Sequence, residues 1–175
     1  MAKGTGKLFE EEIQTSSAEQ RIWFFRVRDV NPMAIKPGYK TAENPYDSLI
    51  YYDGHLFPTE LKSTKGKSLP FKNIKDHQIE SLIKSNTYDR RIIPGFIINF
   101  SDLNRAFFLQ IDDFMEYMEH AKDNQKTCRG FSVNDKSLTL DYCEGIGIEI
   151  TGHKKKVKMR WYVNELCKNI INKYK

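Results

Sequence analysis

The stretch from Asn44 to Lys62, NPYDSLIYYDGHLFPTELK, holds two apolar-rich runs, residues 46–52 and 55–62, on either side of Asp53-Gly54. Asp-Gly favours the positive φ values of a two-residue hairpin turn, so the stretch is expected to form two paired antiparallel strands. Side chains on a strand alternate between faces. Glu60 and Lys62 therefore share a face, Leu61 points into the core, and Asp47 on the partner strand can approach the pair. Two carboxylates and an ammonium converging at a sheet edge suit a hard divalent cation such as Mg2+. Such an ion binds carboxylate oxygens, keeps positions for water and phosphate, and lowers the pKa of an attacking water. Lys62 can orient that water or stabilise charge on the phosphate. The same residues would equally make a surface salt bridge of Lys62 with Asp47 or Glu60. On these three residues alone the salt bridge is the simpler reading, because the pattern D-x(n)-E-x-K occurs often by chance.

Outward from the hairpin, residues 6–17 place Leu8, Phe9 and Ile13 at helical spacing beside the acidic run Glu10-Glu11-Glu12, where the N-terminal turn of a helix would favour negative charge. Residues 22–27, IWFFRV, are aromatic and β-branched and predict a buried strand, with Trp23, Phe24 and Phe25 in the core. Pro32, Pro37, Gly38 and Pro45 make residues 31–45 an irregular excursion. After the hairpin, Gly66 and Pro70 argue for a loop through the lysine-rich segment. Residues 76–85 return to helical spacing, with Ile79, Leu82 and Ile83 on one face and His77, Gln78 and Ser81 turned elsewhere. Residues 92–100 predict a strand buried on both faces, 106–111 a neighbouring strand and 112–121 a helix. Residues 123–135 are polar and expected to be exposed. Residues 138–143 and 146–150 read as further strands, and Val163, Leu166, Cys167 and Ile170 mark a last amphipathic helix. No internal repeat or linker divides the chain, and a sheet between helices is the economical architecture.

The 175 residues include 28 Lys+Arg and 23 Asp+Glu, a formal net charge of +5, with 39% hydrophobic and 13% aromatic residues. This composition excludes disordered and collagen-like classes, and the length suits one domain, residues 1–175. No apolar run reaches the roughly 18–20 residues that span a bilayer. The start, MAKGTGKLFEEEIQ, lacks the apolar stretch of a secretory signal, so a cytoplasmic protein without membrane contact is expected. Cys128, Cys143 and Cys167 form no C-x-x-C pair and read as reduced thiols, and His55, His77, His120 and His153 lack zinc-ligand spacing. The charge is unevenly placed. Lys62, Lys65, Lys67, Lys72 and Lys75 fall in a run without an acid, and Lys154, Lys155, Lys156, Lys158 and Arg160 form a second cluster. Such runs hold phosphates without reading sequence, and each alone would also suit a solvated loop. Phe71 and Tyr39 lie in irregular basic segments, where they can stack on an unpaired base or simply anchor a loop.

Asn44-Pro-Tyr-Asp47-Ser48 followed by Glu60-Leu61-Lys62 resembles the PD-(D/E)XK nuclease motif. The longer run, ELKST … LPFKNIKDHQIESL, then IIPGFIINF and AFFLQI, resembles the RecU family of Holliday junction resolvases. The likeness extends from Gly6 to the final helix and is densest between Asp47 and Leu109. It implies an α/β, restriction-endonuclease-like fold, with a central mixed β-sheet flanked by helices. It also implies a homodimer that depends on Mg2+, with Mn2+ able to substitute, and makes paired nicks in four-way or branched DNA during recombination and repair. On this resemblance Asp47 and Glu60 hold the metal, the Leu61 carbonyl completes the protein ligands, and Lys62 assists the attacking water. Gln78 matches a helix glutamine associated with the active site. Glu10, four residues after Gly6, would reach the metal through a water, with Glu11 as its competitor. Lys65, Lys67, Lys72 and Lys75 would grip the DNA backbone, extended by Lys154, Lys155 and Lys156. RecU proteins carry a long basic protrusion between the first strand and the hairpin. Here the interval, residues 29–43, is short, and Lys36 and Lys40 are opposed by Asp29 and Glu43. The departure leaves the substrate open between junctions and the flaps or duplexes cut by relatives of the same fold. A DNA-binding module without catalysis is a further alternative.

Overall fold

A computed structural model of the chain describes residues 4–27 and 43–175; most of the excursion at 29–45, including Tyr39, lies outside them. In chain order the elements are α1 (Thr5–Glu19), β1 (Trp23–Arg26), β2 (Ser48–Tyr52), β3 (His55–Thr64), β4 (Ser68–Pro70), α2 (Asp76–Asn86), β5 (Gly95–Phe100), β6 (Arg105–Gln110) and α3 (Ile111–Lys122). There follow β7 (Thr127–Cys128), β8 (Phe131–Ser132), β9 (Ser137–Thr139), α4 (Leu140–Ile146), β10 (Ile148–Ile150), β11 (Gly152–Lys155), β12 (Lys158–Trp161) and α5 (Val163–Tyr174).

Asp53 and Gly54 take φ of 47° and 74°, and the β2–β3 hairpin closes on them with Tyr52 opposite His55. The main sheet has the order β1-β2-β3-β5-β6-β10. β3 and β5 run parallel, with α2 in the crossover between them, and the other pairs are antiparallel, so the sheet is mixed. Each face carries its own core. Phe9 and Ile13 of α1 and Leu166 and Ile170 of α5 pack on Ile50, Phe57, Leu61 and Ile97. Leu82 of α2 and Phe114 and Tyr117 of α3 pack on Phe96, Ile98, Phe107 and Leu109 from the other side. Gly95 is required where β5 meets β6, because a Cβ there would stand 2.4 Å from the Leu109 carbonyl oxygen. The α/β architecture expected from the sequence is present, and all three cysteines are free and buried. Among the described residues no helix is long and apolar enough to cross a membrane.

Several local expectations are corrected. β1 is an edge strand rather than a buried one. Trp23 and Phe25 are 51% and 52% exposed and stack on each other at 6.1 Å, and of the three aromatics only Phe24 packs on the core. The acids of α1 fall in its second and third turns, because the helix already begins at Thr5, so the helix dipole does not account for them. The lysine-rich segment is more ordered than a loop: β3 continues to Thr64, and β4 pairs with β9. Phe71 packs edge-on against Phe114 and Tyr117, as the loop-anchor reading expects. In α2, Gln78 is buried and Ile83 is 39% exposed, the reverse of the expected faces. Residues 123–135 contain the β7–β8 hairpin with Cys128 fully buried. Residues 140–146 are helical, not extended, because Thr139 caps them by accepting from the Tyr142 amide at 3.4 Å.

Candidate active site

β2 pairs with β3 only as far as Ser48 opposite Thr59, where their hydroxyls meet at 2.7 Å. Beyond that point β3 has no ladder partner on this side among the described residues, and Asp47 takes that place instead. Its Oδ2 accepts the Leu61 amide at 3.0 Å, while its own backbone carbonyl takes the Val27 amide at 2.9 Å. Asp47 is thus fixed by two strands at once.

Alternation along β3 puts Thr59 and Leu61 toward α1, and Glu60 and Lys62 toward α2. Glu60 is fully buried, and the Lys62 side chain retains only 14% of its exposure. Gln78 stands at the third position of α2 and joins them. Its Nε2 donates to Glu60 Oε2 at 2.6 Å, and its Oε1 accepts from Lys62 Nζ at 2.8 Å and from the Lys75 amide at 3.2 Å. The last contact is half of a capping box, so the residue that starts the helix also orients the site. Lys62 Nζ reaches Glu60 Oε2 at 3.2 Å. The amide of Gln78 thus joins Glu60 to Lys62, with one Nε2 hydrogen given to Glu60.

Burial, and next the Asp47 carboxylate beside it, push the Glu60 carboxyl up to about 8 against the pull of Lys62. Glu60 Oε1 is buried with no hydrogen-bond partner among the described residues. A buried carboxyl oxygen without a donor, set beside a second carboxylate, is costly to ionise, so it keeps its proton unless a cation supplies the opposing charge. The oxygen-only donor set fits a hard divalent cation, and Asp47 and Glu60 are the residues that would hold it.

Glu10 belongs to α1, on the face of β3 opposite Glu60, and pairs with Arg26. Arg26 lies in register with Ser48, next to Asp47, so this pair borders the site. Glu11 instead faces Lys158 at 3.3 Å. Glu12, not singled out by the sequence, is buried and accepts the Met159 amide at 2.9 Å and Trp161 Nε1 at 3.3 Å, tying the β11–β12 hairpin to α1. Its position between Phe9, Ile13 and Ser16 on the buried face was the available signal.

Lys65, Lys67, Lys72 and Lys75 are all exposed, from the β3–β4 turn to the start of α2, beside Glu60 and Lys62. The second basic cluster differs from expectation. Lys155 and Arg160 pair with Glu19, and Lys158 with Glu11, so α1 neutralises much of it. Lys154 and Lys156 are exposed and make no ion pair among the described residues.

The family model for Recombination protein U (RecU) matches residues 6–156. The chain belongs to the RecU family. A relative, the SPbeta prophage-derived uncharacterized protein YotM of Bacillus subtilis strain 168, is 42% identical over 175 residues, covering 98% of this chain and 89% of the relative. Among solved structures, Hjc of Archaeoglobus fulgidus, a Holliday junction resolvase from an archaeal hyperthermophile, aligns with a TM-score of 0.52 at 13% identity. The alignment covers 82% of this chain and 95% of Hjc. At that identity the likeness supports the fold, and this RecU-family chain shares it. The matched region contains Asp47, Glu60, Lys62 and Gln78 together with the first lysine cluster and Lys154, Lys155 and Lys156 of the second.

Proposed function

We propose that this RecU-family chain is a metal-dependent, structure-selective DNA endonuclease that resolves four-way junctions as a homodimer making paired nicks. The observation that carries the reading is the convergence of Asp47, Glu60, Lys62 and Gln78, with a buried Glu60 oxygen that has no donor among the described residues. Asp47 and Glu60 would hold Mg2+, or Mn2+ in its place, with the Leu61 carbonyl and Glu10 as further candidates. When bound, that ion supplies Lewis-acid stabilisation of the phosphate and an acidified water. Gln78 holds the Glu60 carboxylate and the Lys62 ammonium in mutual register. Lys62 then presents a positive charge where the phosphorane develops its own negative charge. Lys65, Lys67, Lys72 and Lys75 would track the DNA backbone, with Lys154, Lys155 and Lys156 extending the contact and positioning the duplex without specifying bases. A twofold assembly offers one such site to each of two symmetry-related strands. Such a function would be carried out in the cytoplasm.

The test is cleavage of a synthetic four-way junction, a flap and a linear duplex at one salt concentration, with Mg2+ or with Ca2+. Symmetric nicks in the junction with Mg2+ alone are expected. Asp47→Asn and Lys62→Ala should abolish them while junction binding persists. Full cleavage by either variant would sink the assignment. Preference for the flap or duplex would make the chain a nuclease of a different substrate. Binding without cleavage under any metal would make it a DNA-binding module.

A further inference from the structure

Glu116 and His120 are one turn apart on α3 and share a side of the helix. The β7–β8 hairpin crosses that side and brings Cys128 against them, fully buried. A carboxylate oxygen of Glu116, a ring nitrogen of His120 and Cys128 Sγ lie within 4.8 Å of one another, the only such cluster of potential metal ligands among the described residues. His120 Nδ1 lies 2.8 Å from the Thr127 carbonyl oxygen. A carbonyl can only accept, so Nδ1 carries the proton and Nε2 keeps the lone pair. Metal-binding histidines are held in this way by a backbone carbonyl or a carboxylate. The sequence shows no paired spacing because the cysteine comes from a different element, eight positions beyond the histidine and across a turn.

We propose that Glu116, His120 and Cys128 form a binding site for a borderline divalent transition-metal cation, of the zinc or cobalt kind, separate from the Asp47–Glu60 carboxylates. Thiolate and imidazole donors select such ions over Mg2+, and three protein ligands leave one position for water. Binding breaks the Cys128 S–H bond: the proton leaves to solvent, and the sulfur lone pair goes to the cation. Arg129 holds both Glu116 oxygens, Oε1 through Nε at 3.0 Å and Oε2 through Nη2, and reaches Asp113 through Nη1 at 2.8 Å, so a bound cation would share Glu116 with that guanidinium. With the thiolate formed, three negative groups, Asp113, Glu116 and Cys128, balance Arg129 and a divalent ion. The bound ion would pin the β7–β8 hairpin to α3.

The test uses the full chain, reduced, stripped with chelator and titrated with Co2+ in the absence of Mg2+. One equivalent should give a sulfur-to-cobalt charge-transfer band that Zn2+ displaces and excess Mg2+ does not. Cys128→Ser should abolish the band, and Asp47→Asn should leave it intact. His120→Gln should weaken binding by more than the roughly 10- to 100-fold typical of losing an outer-sphere partner. Zn2+ should raise the Tm of the native chain but not of Cys128→Ser. Absence of the band, its persistence in Cys128→Ser, or its loss in Asp47→Asn overturns the proposal. If Cys128→Ser does not fold, unchanged cobalt affinity in His120→Gln overturns it equally.

Discussion

Gln78 donates to Glu60 at 2.6 Å from a helix that starts sixteen residues further along the chain than that carboxylate. The bond fixes Glu60 Oε2 and leaves Oε1 as the oxygen without a donor. Gln78→Leu keeps the volume and removes all three polar contacts, to Glu60, to Lys62 and to the Lys75 amide. Cleavage should fall by about 10- to 100-fold, with a raised Mg2+ requirement, as for other residues that orient a metal ligand. Single-turnover cleavage across a Mg2+ series measures both effects, and an unchanged Mg2+ dependence would count against the orienting role.

Glu60 makes the metal-free protein sensitive to alkali. Its carboxyl is raised from the ordinary 4.5 to about 8, so the folded state holds a proton that the unfolded chain has lost. The associated stability is complete at acid pH and is lost as pH rises toward about 8, with a slope near 1.4 kcal/mol per pH unit for one proton. Denaturant unfolding in chelator from pH 5 to pH 9 should show this decline. Glu60→Gln should flatten it, and saturating Mg2+ should reduce it by favouring the ionised form. A decline equally steep in Glu60→Gln would place its origin elsewhere.

The two lysine clusters should differ in their salt response. Lys65→Ala removes an exposed charge with no ion pair among the described residues and should lower the salt slope of junction binding by about one. Lys155→Ala removes a charge already facing Glu19 at 3.3 Å and should change the slope less. Binding in Ca2+ over a salt series compares them, and equal slopes would show that the Glu19 pair opens on binding.

Glu12→Ala should cost roughly 3 kcal/mol, since it strands the part-buried Met159 amide and the buried Trp161 indole N–H at once. Chemical denaturation measures the loss. A cost below about 1 kcal/mol would mean that water replaces the carboxylate.

The hairpin was legible because its signals are local: Asp53-Gly54 dictates the turn, and alternation alone puts Glu60 and Lys62 on one face. Features set by distant partners were not. Trp23 and Phe25 have the composition of a central strand, and nothing in IWFFRV reveals that β1 sits at an edge. Gln78 reads as a surface residue until β3 supplies a buried carboxylate and ammonium to satisfy it. Leu140 to Cys143 is a short apolar run that suits a strand or a helix, and Thr139 as a cap decides for the helix. The basic run at residues 154–160 gave no sign of Glu11 and Glu19, more than 130 positions earlier, which pair with part of it.

The β4–β9 pairing sets Ser68 against Thr139 and Pro70 against Ser137. During synthesis the ribosome therefore releases the carboxylate hairpin and the lysines beside it long before the strand that braces them. Contacts so distant in sequence are slow to close, and domains assemble as their parts emerge. A nascent chain halted ahead of Ser137 would carry Asp47, Glu60 and Lys62 with the neighbouring lysines still untethered. The order of translation itself would then delay a secure hold on DNA until the C-terminal third of the protein exists.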